Sequence, residues 1–139
     1  MEPQRHEFKV GKLVVNGAKF EFHPEPALKF NAKPGDVGDV YLQYGYREAS
    51  KEKETLNLSF TVELNGKVLG TRKTKVEDSR VVTDEQWGLL KHETTLNTKG
   101  ALKGKYTIEA TYEKGAWNGK GAVAVTPFKQ TGDFVVTVR

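Results

Sequence analysis

The chain has 139 residues, of which 37% are hydrophobic and 29% are charged, which is the composition of a soluble globular domain rather than of a disordered chain. No apolar run approaches the roughly 20 residues of a membrane helix, and the absence of Cys excludes disulfides, thiolate metal sites and a Cys nucleophile. The first residues lack the apolar core of a signal peptide, so we expect a cytoplasmic protein or, if a leader was removed, an extracytoplasmic one.

The formal net charge of +4 is unevenly placed along the chain. Residues 94–139 carry seven basic and three acidic side chains, whereas the charges of residues 1–93 cancel. The basic last third is either a solvated lysine-rich surface or a weakly anion-attracting face.

The first third of the chain predicts strands separated by turns. Three segments alternate apolar and polar residues: 7–15, 18–22 and 40–46. Gly11 interrupts the first alternation, which predicts a β-bulge there. Asn16-Gly17 predicts a hairpin turn, and the segment 33–36, which reads Lys-Pro-Gly-Asp, has the residue order of a type II turn.

The longest alternation lies in the middle of the chain, over residues 56–64. It predicts a strand with one buried face and one solvated face. Asn65-Gly66 predicts a tight hairpin turn, because both residues accept the positive φ angles that a type I′ turn needs. The return segment, 67–76, is rich in lysine and predicts an edge strand, since lysines discourage pairing with other chains.

The last third contains one predicted helix among further strands. Residues 83–86 read as a capping box, which predicts a short helix over 84–90 with Trp87, Leu89 and Leu90 facing inward. Strands are expected over residues 93–97, 105–113, 122–126 and 134–138. A glycine-rich loop, 115–121, precedes the last two of them.

About seven to nine short strands and turn signals every 8–12 residues predict a single immunoglobulin-like (Ig-like) antiparallel β-sandwich over residues 1–139. The segment 102–108 resembles the tyrosine corner of Ig-like and fibronectin-type domains, with Tyr106 as the corner residue. The segments 30–36 and 132–136 are similar to the opening and closing strands of bacterial Ig-like domains. The resemblance implies a module of an envelope, secreted or multi-protein assembly, outside the disulfide-bonded subclass.

The residues that carry chemistry give no catalytic or metal-binding pattern. His6, His23 and His92 lack the spacings that converge on a metal along one strand or helix. No serine lies in a Gly-x-Ser-x-Gly elbow, and the glycines of the 115–121 loop precede a strand rather than the helix that a phosphate loop needs. We therefore expect a non-catalytic protein without cofactor or metal.

One loop carries the predicted contact site. Trp117 lies among glycines beside Lys114, Asn118 and Lys120, so its ring predicts a surface that stacks on a sugar or base or anchors a partner protein. Alternatively, Trp117 folds back over the end of the sandwich. The leading hypothesis is a protein-interaction or structural module, whose partner is another protein or further copies of the chain. The second is a binder of anionic polysaccharide or nucleic acid through Trp117 and the basic last third.

Overall fold

The structure, a computed structural model, describes residues 2–16, 19–25, 29–46, 54–77, 87–114, 123–124 and 127–139. Every regular element in these ranges is a β-strand. In chain order the strands are β1 (Arg5–Asn16), β2 (Lys19–Pro24), β3 (Lys29–Ala32), β4 (Asp36–Tyr46), β5 (Glu54–Leu64), β6 (Lys67–Glu77), β7 (Gly88–Leu96), β8 (Gly100–Lys114), β9 (Val123–Ala124) and β10 (Phe128–Val138).

The strands form two sheets that pack face to face. The smaller sheet has the order β2-β1-β4-β7, and the larger sheet has the order β3-β10-β8-β5-β6, with the two-residue β9 paired to β8. Each sheet contains one parallel pair, β1 with β4 and β3 with β10, and the other pairs are antiparallel. The predicted all-β, two-layer architecture is therefore confirmed, although the sheets are mixed rather than purely antiparallel.

The core lies between the inner faces of the two sheets. From the larger sheet it receives the predicted alternating residues, with Phe60 of β5 directly opposite Ile108 of β8 and both fully buried. From the smaller sheet it receives Leu13 of β1 and Leu42 of β4, also fully buried. Burial of such side chains stabilises the fold by about 1.5–3 kcal/mol each, so the two sheets depend on one shared interior.

The predicted turns and the predicted bulge are confirmed where the structure describes them. Asn65 and Gly66 have φ angles of 50° and 77°, as a type I′ turn requires. Gly35 has a φ of 90°, and the N–H of Asp36 donates to the carbonyl of Lys33 at 3.1 Å, which closes the predicted turn. The pairing of β1 with β4 shifts between Lys9 and Gly11, at the predicted bulge.

The first hairpin turns one residue later than the sequence predicts. Asn16 pairs with Lys19, so residues 17 and 18, which lie outside the described ranges, connect the two strands. Asn16 is consequently the last residue of β1 rather than the first residue of the turn.

Aromatic rings lie on glycines of neighbouring strands at three paired positions. A Cβ atom on any of these glycines would come within 2.1–2.3 Å of the ring, so only glycine leaves room for it. The pairs are Tyr44 on Gly88, Tyr106 on Gly132 and Phe134 on Gly104. Each pair ties one strand to its neighbour in a single register, because a shift by one residue would bring a side chain under the ring.

The predicted helix over 84–90 is not confirmed. Residues 88–90 begin β7, and residues 84–86 lie outside the described ranges. In a strand, alternate residues face opposite sides, so Leu90 is buried in the core while Leu89 is 45% exposed. Trp87, which precedes β7, lies on the outer side with Leu89, and the prediction that Trp87 and Leu89 face inward is wrong.

The tyrosine corner also departs from its prediction. Tyr106 is buried, and its ring tilts toward Phe22 of the smaller sheet at 6.0 Å between centroids. A tyrosine corner places the hydroxyl against the main chain a few residues upstream, whereas the Tyr106 hydroxyl lies over Gly132 of β10. Tyr106 therefore acts as a packing residue between three strands.

Candidate binding faces

The structure describes only part of the predicted contact loop. Lys114 is the last residue of β8, where its main chain pairs with Val123 of β9. Trp117, Asn118 and Lys120 lie outside the described residues. The exposure of Trp117 and its role in binding therefore stay predictions, and the described chain offers two other faces.

The first face is on the outer side of the smaller sheet and centres on Trp87. The indole ring lies on Gly45 of β4, where a Cβ atom would approach Trp87 Cε3 to 2.5 Å. Lys12 Nζ lies 4.6 Å from the ring centroid, which is within the range of a cation–π contact. Val14, opposite Gly45 on β1, also faces outward but is only 3% exposed. Apolar packing thus continues beyond the core onto the outer side of this sheet.

Leu89 extends this packing into solvent. Lys12, Gln43 and Leu89 lie in one row across β1, β4 and β7, and Tyr41 occupies the next outward position on β4. Partial burial raises the pKa of Tyr41, and the charge of Glu7 adds to that effect. We call the five residues Lys12, Tyr41, Gln43, Trp87 and Leu89 the tryptophan face.

Sequence reasoning missed the tryptophan face because it assigned Trp87 and Leu89 to a helix. The signal that would have revealed it is the alternation after Trp87: Leu90, His92 and Leu96 are buried. A strand with its even-numbered residues inside necessarily turns Trp87 and Leu89 outward.

The second face is a groove of about 770 Å³ on the outer side of the larger sheet. One row of its lining crosses four strands, with Lys73 of β6, Ser59 of β5, Glu109 of β8 and Lys129 of β10 in direct register. Lys129 Nζ lies 3.5 Å from Glu109 Oε1. Lys75 lines the next row, so three lysines and one glutamate give the described lining a positive excess. We call this surface the lysine groove.

A row of threonines borders the lysine groove. Thr71, Thr61, Thr107 and Thr131 lie side by side across β6, β5, β8 and β10. The hydroxyls of Thr61 and Thr71 are 2.8 Å apart, as in a hydrogen bond. The short hydroxyl side chains give this part of the sheet a polar surface.

A cluster of charged side chains ties the start of β1 to β4 and β7. Arg5 Nη1 donates to both carboxylate oxygens of Asp39 at 2.8 Å and to Glu93 Oε2 at 2.9 Å. The hydrogen bond to Asp39, with a smaller contribution from the bond to Glu93, raises the pKa of Arg5 above its ordinary value. Arg5 thus pairs with both carboxylates, and the cluster stabilises the parallel β1–β4 pair.

Asp36 forms a second polar cluster at the turn before β4. His6 Nε2 lies 2.7 Å from Asp36 Oδ2, and the N–H groups of Lys33 and Gln4 donate to the same carboxylate at 2.9 and 3.1 Å. The hydrogen bond with His6, followed by those from Lys33 and Gln4, lowers the pKa of Asp36 to about 2. A cavity of about 300 Å³ adjoins His6 and Asp36. The hydrogen bonds to the Asp36 carboxylate stabilise the turn before β4.

His92 is a polar side chain inside the core. It belongs to β7, is 3% exposed, and places Nε2 3.2 Å from the carbonyl oxygen of Phe60 across the interior. Burial lowers the pKa of His92, the bond with Phe60 opposes that shift, and the charge of Arg72 contributes to it. His92 therefore couples the two sheets as a neutral ring.

The three histidines have different neighbours: Asp36 for His6, Glu21 for His23 and Phe60 for His92. In the described part of the chain, no group of three or more His, Asp or Glu side chains is arranged to hold a metal ion. Nor does that part contain a helix long and apolar enough to span a membrane.

Comparisons with known proteins show a distant likeness to a solved structure. No protein-family model matches the chain, and no curated protein matches it. A solved structure, the N-terminal domain of phage TP901-1 ORF48, aligns with 96% of this chain and 98% of its own, at 14% sequence identity and a TM-score of 0.29. A TM-score of 0.29 gives no information about function.

Proposed function

We propose that the chain is a non-catalytic, Ig-like β-sandwich module with a structural or protein-interaction role in a multi-protein assembly. The strand order supports the Ig-like part. Ig domains place their B and E strands in one sheet and their C, F and G strands in the other. Here β4 and β7 are neighbours in the smaller sheet, while β5, β8 and β10 are neighbours in the larger one. The parallel β1–β4 pair is a departure from that plan.

The tryptophan face carries the interaction part of the proposal. Protein interfaces are enriched in Trp and Tyr, and their binding energy concentrates in a few well-packed side chains. Trp87 is already held on Gly45 and beside Lys12, so little conformational entropy is lost when a partner covers it. Leu89, 45% exposed on the same face, supplies apolar surface that water solvates poorly.

Site-specific photo-crosslinking in the cells that produce the protein tests this proposal. A photoreactive side chain is placed at Leu89, and a matched control is placed at Val68, an apolar side chain that is 56% exposed on β6. A protein adduct, with a second copy or another protein, that forms from position 89 and not from position 68 supports the proposal. No adduct from position 89, or the same adducts from both positions, contradicts it.

The second candidate function is the binding of an anionic polysaccharide or nucleic acid through Lys114, Trp117, Asn118 and Lys120. The basic excess of residues 94–139 favours it. Salt separates the two functions, because phosphate and sulfate contacts weaken steeply as salt rises whereas an apolar interface does not. A Trp117→Ala variant that folds but loses a salt-sensitive affinity for such a polymer would favour this second function.

A further inference from the structure

We infer that the lysine groove binds an extended acidic peptide segment of a partner protein, with two carboxylates spaced about four residues apart. The inference concerns the larger sheet and is independent of the tryptophan face. Three observations support it: the spacing of the lysines, the glutamate between them and the lack of an aromatic stacking surface among the described lining residues.

The spacing follows from the strand order. Lys73 and Lys129 lie in the same row on β6 and β10, three strand intervals apart. Neighbouring strands are separated by about 4.8 Å, so the two backbone positions are about 14 Å apart. An extended peptide advances about 3.3 Å per residue, so carboxylates at positions i and i+4 are about 13 Å apart. Such a peptide can lie across the strands and reach both lysines at once.

The middle of the row selects against a dense polyanion. Ser59 and Glu109 lie between the two lysines, so a ligand crosses a hydroxyl and a carboxylate on its way. A peptide main chain presents N–H donors to these acceptors. DNA carries about one negative charge per 1.7 Å of its axis and would bring charge close to Glu109. Like charges at that distance repel, which favours a ligand with a neutral centre.

The described part of the lining also lacks the aromatic platform on which sugars and bases stack. Binders of single-stranded nucleic acid stack bases on aromatic side chains. Phe128 is the only aromatic residue among the described lining, and its ring contacts Phe20 of the smaller sheet at 5.6 Å between centroids. The polar side chains that remain, among them Asn57 and Thr111, suit the amide groups of a peptide.

Fluorescence anisotropy with the full chain at low salt tests the inference. The probe is a labelled peptide of glycine and serine with two glutamates four residues apart; the comparison peptides have glutamines in their place or the glutamates adjacent. We expect the first peptide to bind. The peptide with adjacent glutamates loses one charge pair and should bind up to about fivefold more weakly, and the glutamine peptide loses both pairs and should bind more weakly still, since each exposed charge pair contributes at most about 1 kcal/mol.

Charge reversal then locates the site. Lys73→Glu and Lys129→Glu should each weaken binding about tenfold, because an attractive pair becomes a repulsive one. Lys91→Glu, on the outer side of the smaller sheet, is the matched control and should leave binding unchanged. Equal weakening by all three variants, or no binding of the peptide by the folded wild-type chain, would overturn the inference.

A sulfated oligosaccharide and an oligothymidylate complete the test. If either binds more tightly than the peptide and loses affinity in Lys73→Glu and Lys129→Glu, the groove serves a dense polyanion and the peptide inference fails. The crosslinking result at Leu89 is unaffected by this outcome, so failure here and failure of the proposed function are distinguishable.

Discussion

The two sheets share one core but differ in where they keep their polar and apolar groups. The larger sheet is apolar inside and polar outside, with lysines and threonines on its outer side. Of the four buried polar or charged residues in the described ranges, the smaller sheet carries three, Asp36, Asp39 and His92. It also buries Val14 and part of Trp87 on its outer side. Within the described chain, buried polar groups and apolar packing on an outer side are thus concentrated in the smaller sheet.

The largest expected effect comes from the interior that both sheets share. Phe60→Ala should lower the free energy of unfolding by about 3–5 kcal/mol, because it opens a cavity between β5 and His92. Urea denaturation measures the loss. Val68→Ala, at an exposed position, should change the stability by less than about 0.5 kcal/mol. Comparable losses in the two variants would mean that Phe60 is not central to the core.

A substitution on the outer side should distinguish the sheets. Gly45→Ala places a methyl group 2.5 Å from Trp87 Cε3, so we expect a loss of about 1–3 kcal/mol from overpacking and a red shift of the Trp87 emission. Ser59→Ala, on the outer side of the larger sheet, should stay within about 0.5 kcal/mol of the wild type.

The chain has two tryptophans, Trp87 and Trp117. Both measurements are therefore made in a Trp117→Phe background, in which the emission comes from Trp87 alone. An unchanged stability and emission in Gly45→Ala would show that Trp87 does not rest on β4.

Acid should act through the smaller sheet. The pKa of His92 in the folded chain is lower than the ordinary histidine pKa of 6.5. As the pH falls below 6.5, the unfolded chain therefore takes up the proton first, and the stability of the fold declines. Asp36 has a pKa of about 2, so its contribution is complete above its ordinary value of 3.8 and is lost as the pH falls toward 2. Chemical denaturation across this pH range should show two separate declines.

Single variants assign the two declines. His92→Gln should flatten the upper one, and Asp36→Asn should flatten the lower one. If the upper decline persists in His92→Gln, a group other than His92 is responsible for it.

The smallest expected effects concern two tyrosines of β8. The Tyr112 hydroxyl is buried and finds no hydrogen-bond partner among the described residues, so Tyr112→Phe should raise the stability by about 0.5–1 kcal/mol. Tyr106→Phe should be nearly neutral, because its hydroxyl lies against Gly132. Thermal unfolding of the two variants measures the difference, and a destabilised Tyr112→Phe would imply a partner for that hydroxyl.

Features that depend on residues close together in the chain could be predicted from the sequence. The β5–β6 hairpin was predictable except for its register shift between Val62 and Glu63, because its alternation and its Asn65-Gly66 turn depend only on neighbouring residues. The bulge near Gly11 was predictable for the same reason.

What could not be predicted depends on distant partners. The parallel β1–β4 and β3–β10 pairs join segments that have no local signal for each other. The place of Trp87 depends on Gly45, which makes room for the ring. The lysine groove depends on the register of four strands, so no stretch of sequence contains it.

The β3–β10 pair has a consequence for synthesis on the ribosome. Val135 pairs with Lys29, so β3 emerges about a hundred residues before its partner, a delay of roughly 5–20 s at ordinary elongation rates. Until then Phe30, whose ring stacks on Phe8 at 4.5 Å and meets Phe134 at 6.4 Å, lacks half of its packing. During most of its translation the nascent chain therefore exposes the Phe30 side chain and the main-chain groups of β3 that later pair with β10, and such unpaired strand edges favour association with other chains.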